Sequence, residues 1–186
     1  MAIQKNITID GIDVPFKASA AVPRLYRLKF RRDIYQDFAA LQKSVGENTE
    51  ESSALDIESL EVFENIAYIM AKHADAAIPA SPDEWLEQFN TFSIYEILPQ
   101  LIDLWGLNVE TQVKSKKKHR PIDRPMTTPL FLLRCVQLGL SMGDLDFLTL
   151  GLVNDMFTER ENDDCHYDVL ADQRILMRFK HFPLMQ

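Results

Sequence analysis

The spacing of apolar residues constrains this chain more than any other feature, because over most of its length they recur every three or four residues, as on one face of an α-helix. Pro23 suits a first helical turn, and the apolar residues from Tyr26 to Val45 keep this spacing up to Gly46, which predicts one long amphipathic helix. Further helices are predicted after capping patterns that begin at Ser53, Ser81 and Ser93. Gly106 is placed to end the last of these.

The first residues follow a different period. Apolar and polar residues alternate between Asn6 and Ser19, on both sides of Asp10-Gly11, a dipeptide that favours a tight hairpin turn. The predicted fold class is therefore mainly α with a short N-terminal β-hairpin (α+β).

Residues 108–126 lose the helical spacing and contain Pro121 and Pro125. They are rich in cations, which are Lys114, Lys116, Lys117, Lys118, Arg120 and Arg124. Prolines and like charges resist a packed core, so we expect a flexible basic linker here. It would join an N-terminal helical domain, residues 1–107, to a C-terminal helical domain, residues 127–186.

The C-terminal domain is predicted to begin as a helical hairpin over residues 129–158. Thr128-Pro129 would cap and open its first helix, and Gly139 to Gly143 would separate it from a second helix that resumes at Leu145. A last helix is predicted between Asp168 and Phe182.

The charge balance bears on partners. The net charge is -8, and residues 1–113 hold 9 Lys or Arg against 18 Asp or Glu, whereas residues 114–186 hold 11 against 10. Such acidity repels polyphosphate, so nucleic acid is not an expected partner. We expect a protein of the cytoplasm for three reasons. The two cysteines lie outside any spaced framework, no apolar run is long enough for a membrane span, and the N-terminus has no signal-peptide core.

One cluster of cations lies outside the predicted linker. Arg24, Arg27 and Arg31 are three and four residues apart and so share a helix face, near a predicted helix start where the helix dipole disfavours cations. They could dock an acidic partner. The alternative, which charged helix faces usually follow, is pairing within the chain or solvation.

No sequence motif identifies catalytic, cofactor-binding or metal-binding residues. Cys165-His166 is the only adjacent pair of Cys and His side chains, and no phosphate loop or nucleophile elbow is present. We therefore expect no enzyme, no cofactor and no metal, although a pocket that gathers titratable groups would reopen that question.

The predicted hairpin is similar in outline to a DNA-reading helix-turn-helix. Its second helix, however, would carry Asp144, Asp146, Asp155 and Glu159, which are unfavourable beside phosphates. A small DNA-associated regulator that uses the basic linker and the hairpin is the alternative function. Protein binding is favoured because we expect a hairpin this short to leave part of its leucine-rich faces uncovered for a partner helix or for self-association.

Two segments of the sequence carry a family resemblance. The N-terminal one comprises Ile7–Gly11, Val14–Ala18, Pro23–Phe30, Arg32-Asp33 and Asp37. The C-terminal one comprises Leu130–Cys135, Gly143–Thr149, Gly151–Asp155, Thr158-Glu159 and Asn162-Asp163. Both segments resemble tail assembly chaperones of long-tailed, siphovirus-type phages of Gram-positive bacteria. The sequence departs from the family pattern at Arg31, where a small residue is expected.

The resemblance implies that this chain is the long fusion made by programmed ribosomal frameshifting, with Lys116, Lys117 and Lys118 as the trace of a slippery codon run. It further implies that the upstream part binds and solubilises the tape measure protein, that the downstream part recruits the major tail (tube) protein, and that the chaperone is absent from the mature virion. On this basis the predicted tape measure contacts are Arg24, Tyr26, Arg27, Phe30 and Arg31. The predicted tube protein contacts are Phe131, Leu145 and Phe147.

Overall fold

The computed structural model describes residues 1–47, 57–116, 124–163 and 165 of the chain. It is mainly helical with one antiparallel β-hairpin, which confirms the predicted fold class. The elements in chain order are β1 (Ile3–Ile9), β2 (Ile12–Ala18), α1 (Val22–Phe30), α2 (Ile34–Glu47), α3 (Ile57–Ala74), α4 (Pro82–Leu86), α5 (Ile94–Val109), α6 (Thr128–Gln137), a 3-10 turn (Asp144–Asp146) and α7 (Leu150–Asn162).

The hairpin turns at the predicted dipeptide. Asp10 and Gly11 both have positive φ angles, 51° and 76°, as the two central residues of a type I′ turn require. The pairing runs from Ile3 opposite Ala18 to Ile9 opposite Ile12. This register sends one apolar face of the hairpin into the core, where β2 packs against α3.

The predicted long helix is in fact two helices, α1 and α2, and that prediction was wrong. Arg31 ends α1 in the left-handed region, with φ 61° and ψ 18°. Asp33 then starts α2, since its Oδ1 accepts a hydrogen bond from the Tyr35 backbone N–H at 3.2 Å and its carbonyl accepts from the Asp37 N–H at 3.0 Å. The polar residues between the two helices thus form a corner rather than an exposed stretch of one helix.

Helices α3 and α5 form as the sequence predicts, whereas two local details differ. Ser81 and Ser93 occupy the expected N-cap positions of α4 and α5, without a side-chain capping hydrogen bond. Helix α5 continues through Gly106 to Val109, so the predicted end at Gly106 was wrong. The capping residues Ser53 and Asp56 proposed for α3 lie outside the described residues.

The C-terminal segment also differs in detail from the predicted hairpin. Thr127, rather than Thr128, caps α6, and its side chain accepts from the Leu130 N–H. Thr149 caps α7 by accepting from the Leu152 N–H at 3.1 Å, so this helix begins at Leu150 and not at Leu145. The last predicted helix, residues 168–182, lies outside the described residues.

The C-terminal elements share one core with the N-terminal ones. Phe131, Leu145 and Val153 are fully buried in the same cluster as the hairpin, α1 and α3. Asn108, also fully buried, joins the two sides: its Nδ2 donates to the Ser19 carbonyl at 3.4 Å and its Oδ1 accepts from the Leu150 N–H at 3.2 Å. A buried amide satisfied from both sides favours one relative placement of these elements.

The described part of the predicted linker lies along α7. The Asp155 carboxylate accepts the backbone N–H groups of Gln112, at 2.9 Å, and Val113, at 3.0 Å, and Asn162 Oδ1 accepts that of Lys116 at 2.9 Å. Lys117 and Lys118 lie outside the described residues. The division of the chain around residues 108–126 therefore stays a prediction.

Candidate functional site

The three arginines singled out in the sequence line one cavity. Arg24, Arg27 and Arg31 project from α1 and its C-terminal end toward α6, and together with Leu28 and Leu132 they enclose about 230 Å³. We call these five residues the arginine cleft. The cleft lies where α1 contacts α6, so both the N-terminal and the C-terminal segments contribute to it.

The helix end, not the helix start, carries most of this positive charge. Because α1 ends at Phe30, Arg27 lies in its last turn and Arg31 at its C-cap, where the helix dipole favours cations. The expectation that the stripe would be unfavourably placed was therefore wrong for these two residues. The cause is the unforeseen corner at Asp33.

The three guanidinium groups differ in how far they are neutralised. Arg27 Nη1 lies 3.7 Å from Asp33 Oδ2, an ion pair in which the arginine side chain is half exposed and the carboxylate buried. Among the residues that the structure describes, Arg24 and Arg31 have no ion-pair partner. The Nε atom of Arg24 is buried and has no hydrogen-bond partner in that same part of the chain.

Arg31 combines charge with an unusual backbone conformation. A φ of 61° is the left-handed region, which glycine adopts freely and which residues with a Cβ adopt at a cost on the order of 1 kcal/mol. The Arg31 N–H donates to the Arg27 carbonyl at 3.0 Å and closes the end of α1. An arginine therefore stands where the fold alone would favour glycine.

A wider groove continues from the cleft past the corner between α1 and α2. It has a volume of about 460 Å³ and is lined by Arg27, Arg31, Arg32, Asp33, Gln36, Asp37, Thr127 and Pro129. Arg32 is paired here, because its Nε and Nη2 donate to the two oxygens of Asp37 at 2.8 and 2.9 Å. Asp37 also accepts from the Tyr26 hydroxyl at 2.7 Å. The polar groups of this groove hold the corner together.

Aliphatic side chains extend the surface beside the cleft. Leu28 is 58% exposed on α1, and Leu133 and Val136 are 52% and 60% exposed on α6. Val136 follows Leu132 by one helical turn and therefore lies on the same face of α6 as this cleft residue, and Leu133 precedes Val136 by three residues. We call Leu133 and Val136 the apolar flank. Cations and exposed aliphatic side chains thus meet on one surface.

Several residues predicted to contact partners are core residues instead. Tyr26, Phe131 and Leu145 are fully buried, so none of them lies on the surface of this structure, and their role as partner contacts stays a prediction. Burial, followed by the hydrogen bond to Asp37, raises the pKa of Tyr26. Phe30 is partly buried, with its ring 5.0 Å from that of Tyr26. Apolar spacing identifies a shared helix face, but not whether a neighbouring element covers it.

Phe147 is the exception among these aromatic residues. It follows the 3-10 turn and is 72% exposed, while its backbone carbonyl accepts from the Ala2 N–H at 2.7 Å. The ammonium group of Lys17 lies 5.9 Å from the ring centroid, a distance that permits a cation–π contact. A large exposed ring on an anchored backbone is a second candidate contact, and it is not among the residues that line the arginine cleft.

A serine–histidine pair, which the sequence did not single out, lies elsewhere in the fold, with the serine buried and the histidine partly buried. Ser19 Oγ lies 2.9 Å from His73 Nε2 and also accepts the Ala21 N–H at 3.1 Å. Burial, and secondarily the nearby charge of Lys17, lowers the pKa of His73 to about 4. Because Ser19 is fully buried, its hydroxyl has no access to a substrate, and we assign this pair a role in packing.

Two further findings concern metal ligands and membrane spans. Over residues 1–47, 57–116 and 124–163, no three His, Cys, Asp or Glu side chains are grouped so that they could hold a metal ion. In the same ranges no helix is both long and apolar enough to cross a bilayer. Comparisons with models of protein families, with curated proteins and with solved structures find no match.

Proposed function

We propose that this protein is a phage tail assembly chaperone, a non-enzymatic adaptor of the host cytoplasm that keeps the tape measure protein soluble and recruits major tail protein. The proposal starts from the similarity of the two sequence segments to that family. The observation that carries it furthest is the arginine cleft with its apolar flank, an exposed surface on which three arginines and several aliphatic side chains meet.

The physical properties of the chain suit such a role. A tape measure protein is a long helical chain that aggregates, so its carrier must cover apolar helix faces and remain soluble while doing so. Exposed leucine and valine side chains can cover an apolar face, and a net charge of -8 opposes aggregation of the complex. The arginines add a preference for clients that carry carboxylates.

The second partner is assigned to the surface around Phe147. Of the three residues predicted to contact the tube protein, Phe147 alone is exposed, and exposed aromatic residues are common centres of protein interfaces. Phe147 does not line the arginine cleft, so the two partners are proposed to contact different residues. This assignment predicts that Phe147→Ala weakens tube protein binding and leaves tape measure solubility unchanged.

The function is tested by co-expressing the full chain with the tape measure protein and measuring the soluble fraction of the latter. We expect the chain to raise this fraction, and the paired variant Arg27→Glu with Arg31→Glu to reduce it. Lys5→Glu, a charge reversal at an exposed position of β1, serves as the matched control and should behave as the wild type. An insoluble tape measure protein in the presence of the folded wild-type chain would contradict the proposal.

The fusion origin has a separate test. Sequencing of the message across codons 114–118 should show a slippery run in the codons of Lys116, Lys117 and Lys118, with a change of reading frame at that run. A single uninterrupted reading frame would rule out the proposed fusion origin and would leave the proposed chaperone function standing.

A further inference from the structure

We propose that the arginine cleft docks an acidic amphipathic helix of a partner protein, with carboxylates facing the arginines and aliphatic side chains facing Leu28, Leu132 and the apolar flank. The inference deepens the proposed function, because in a tail chaperone this helix would belong to the client. It also stands as a statement about binding chemistry that can be measured without any phage protein.

The spacing of the arginines suggests a helical occupant. Arg24, Arg27 and Arg31 are three and four residues apart, which distributes their charges along about 10 Å of the surface. Carboxylates on a partner helix at positions three and four residues apart cover the same length on one face. A compact anion such as a single phosphate would reach only part of the row.

The unused bonding capacity in the cleft suggests what this helix carries. Arg24 Nε is buried without a hydrogen-bond partner, and neither Arg24 nor Arg31 forms an ion pair with a described residue. A carboxylate is the side chain that pairs best with a guanidinium, through two parallel N–H···O bonds. A volume of about 230 Å³ is too small for most cofactors but accommodates one or two side chains.

The conformation of Arg31 adds an independent argument. Its left-handed backbone, with φ 61°, is the conformation in which glycine costs least, so the backbone itself does not call for an arginine here, although the helix dipole favours a cation at this end of α1. Strained residues that persist are concentrated at functional sites. The arginine at this position therefore points to an interaction outside the folded chain.

The composition of the surface favours a protein partner over nucleic acid. The groups beside the arginines are aliphatic, whereas surfaces for single-stranded nucleic acid combine cations with aromatic rings on which bases stack. Asp33 and Asp37 line the adjoining groove and would lie close to a phosphate backbone. Aliphatic side chains flanked by arginines match the two faces of an acidic amphipathic helix.

The test uses the full chain and a labelled synthetic peptide of about 20 residues, long enough to form a helix. The peptide carries three glutamates spaced three and four residues apart, with leucines on the adjoining face; a peptide of the same composition in scrambled order is the control. We expect saturable binding of the first peptide only. Fluorescence anisotropy at fixed salt measures the affinity.

Arg31→Gly is the decisive variant, because it removes the guanidinium and at the same time relieves the left-handed strain. It should weaken peptide binding about tenfold, the loss expected for one charge-assisted contact, while its thermal midpoint is no lower than that of the wild type. Leu28→Ser, at a position already 58% exposed, should also weaken binding and tests the aliphatic contact. Lys5→Glu should change neither quantity.

Unchanged peptide affinity in both Arg31→Gly and Leu28→Ser would overturn the inference. So would retention of duplex DNA at physiological salt that the peptide competes away, since the surface would then be a nucleic-acid site. If the peptide does not bind but the chain still solubilises the tape measure protein, the docking site is wrong and the chaperone function stands. If the peptide binds as expected but the tape measure protein stays insoluble, the docking site stands and the chaperone function is wrong.

Discussion

Replacing Gly151 with alanine should separate α7 from the end of α5. A Cβ at this position would lie 2.6 Å from the Glu110 carbonyl carbon, closer still to the carbonyl oxygen, and 3.1 Å from the Val109 carbonyl carbon. All three are backbone atoms at the C-terminal end of α5, so no flexible side chain can move aside. Glycine is therefore required here by a close approach of two backbones.

The expected loss of stability can be estimated from what must move. An extra methyl group in a packed contact costs about 1–3 kcal/mol. If α7 shifts away, the hydrogen bonds from Gln112 and Val113 to Asp155 also lengthen, and bonds to a charged acceptor contribute about 1.5–3 kcal/mol each. The better helix propensity of alanine returns up to about 1 kcal/mol. We expect a net loss of about 2 kcal/mol or more.

Gly106→Ala provides the matched control, because the chemical change is identical and nothing lies within 4 Å of the added Cβ. Gly106 is inside α5, so alanine there should stabilise the fold by about 0.5–1 kcal/mol. Urea unfolding followed by circular dichroism measures both variants against the wild type. Equal midpoints for the two variants, or a Gly151→Ala variant more stable than the wild type, would refute the close approach and with it the packing of α7 on the end of α5.

Three further predictions concern side chains that join the elements. Asp33→Ala should lower the unfolding free energy by about 2–4 kcal/mol, because it removes the cap of α2 and leaves the buried N–H of Thr128 without its acceptor at 2.9 Å. A loss below about 0.5 kcal/mol, measured by urea unfolding, would contradict this prediction. Asp155→Ala should cost about 1.5–3 kcal/mol and speed amide exchange at residues 112 and 113, which the wild type protects. The pKa of His73 is lowered from 6.5 to about 4, so between these pH values the unfolded chain binds a proton that the folded chain does not. The free energy of unfolding should therefore fall as the pH falls through this window. One fully linked proton would lower it by roughly 1.4 kcal/mol per pH unit, and we expect less because the His73 ring keeps some solvent access. His73→Asn should make stability depend less on pH in this range.

The hairpin could be predicted because its signals are local. Asp10-Gly11 determines the turn, and alternation on both sides determines which face is buried. The corner between α1 and α2 escaped prediction for the opposite reason, since the apolar spacing continues across it. Asp33 is a good N-cap residue, but its cap competes with an uninterrupted helix, and the tertiary contact with Thr128 decides between them.

The candidate site was predictable in its charges and not in its surroundings. Helical spacing places Arg24, Arg27 and Arg31 on one face whether or not the helix ends at Phe30. The position of Leu132 opposite these arginines depends on how α6 packs on α1. This is a long-range contact, and no local sequence pattern predicts it. For the same reason Tyr26 was predicted to be a surface contact, although its face of the helix is covered.

The arginine cleft also bears on how the two parts of the chain work together. Its arginines come from α1, in the predicted N-terminal domain, and Leu132 and the apolar flank come from α6, in the predicted C-terminal domain. An occupant that binds only the packed arrangement stabilises that arrangement, so binding at the cleft and packing of α6 on α1 would reinforce each other. If the proposed frameshift makes this chain, a shorter product that ends near residue 118 would keep the arginines and lack Leu132 and the apolar flank. We then expect the short product to bind only the carboxylates of a client, and the long product to cover its apolar face as well.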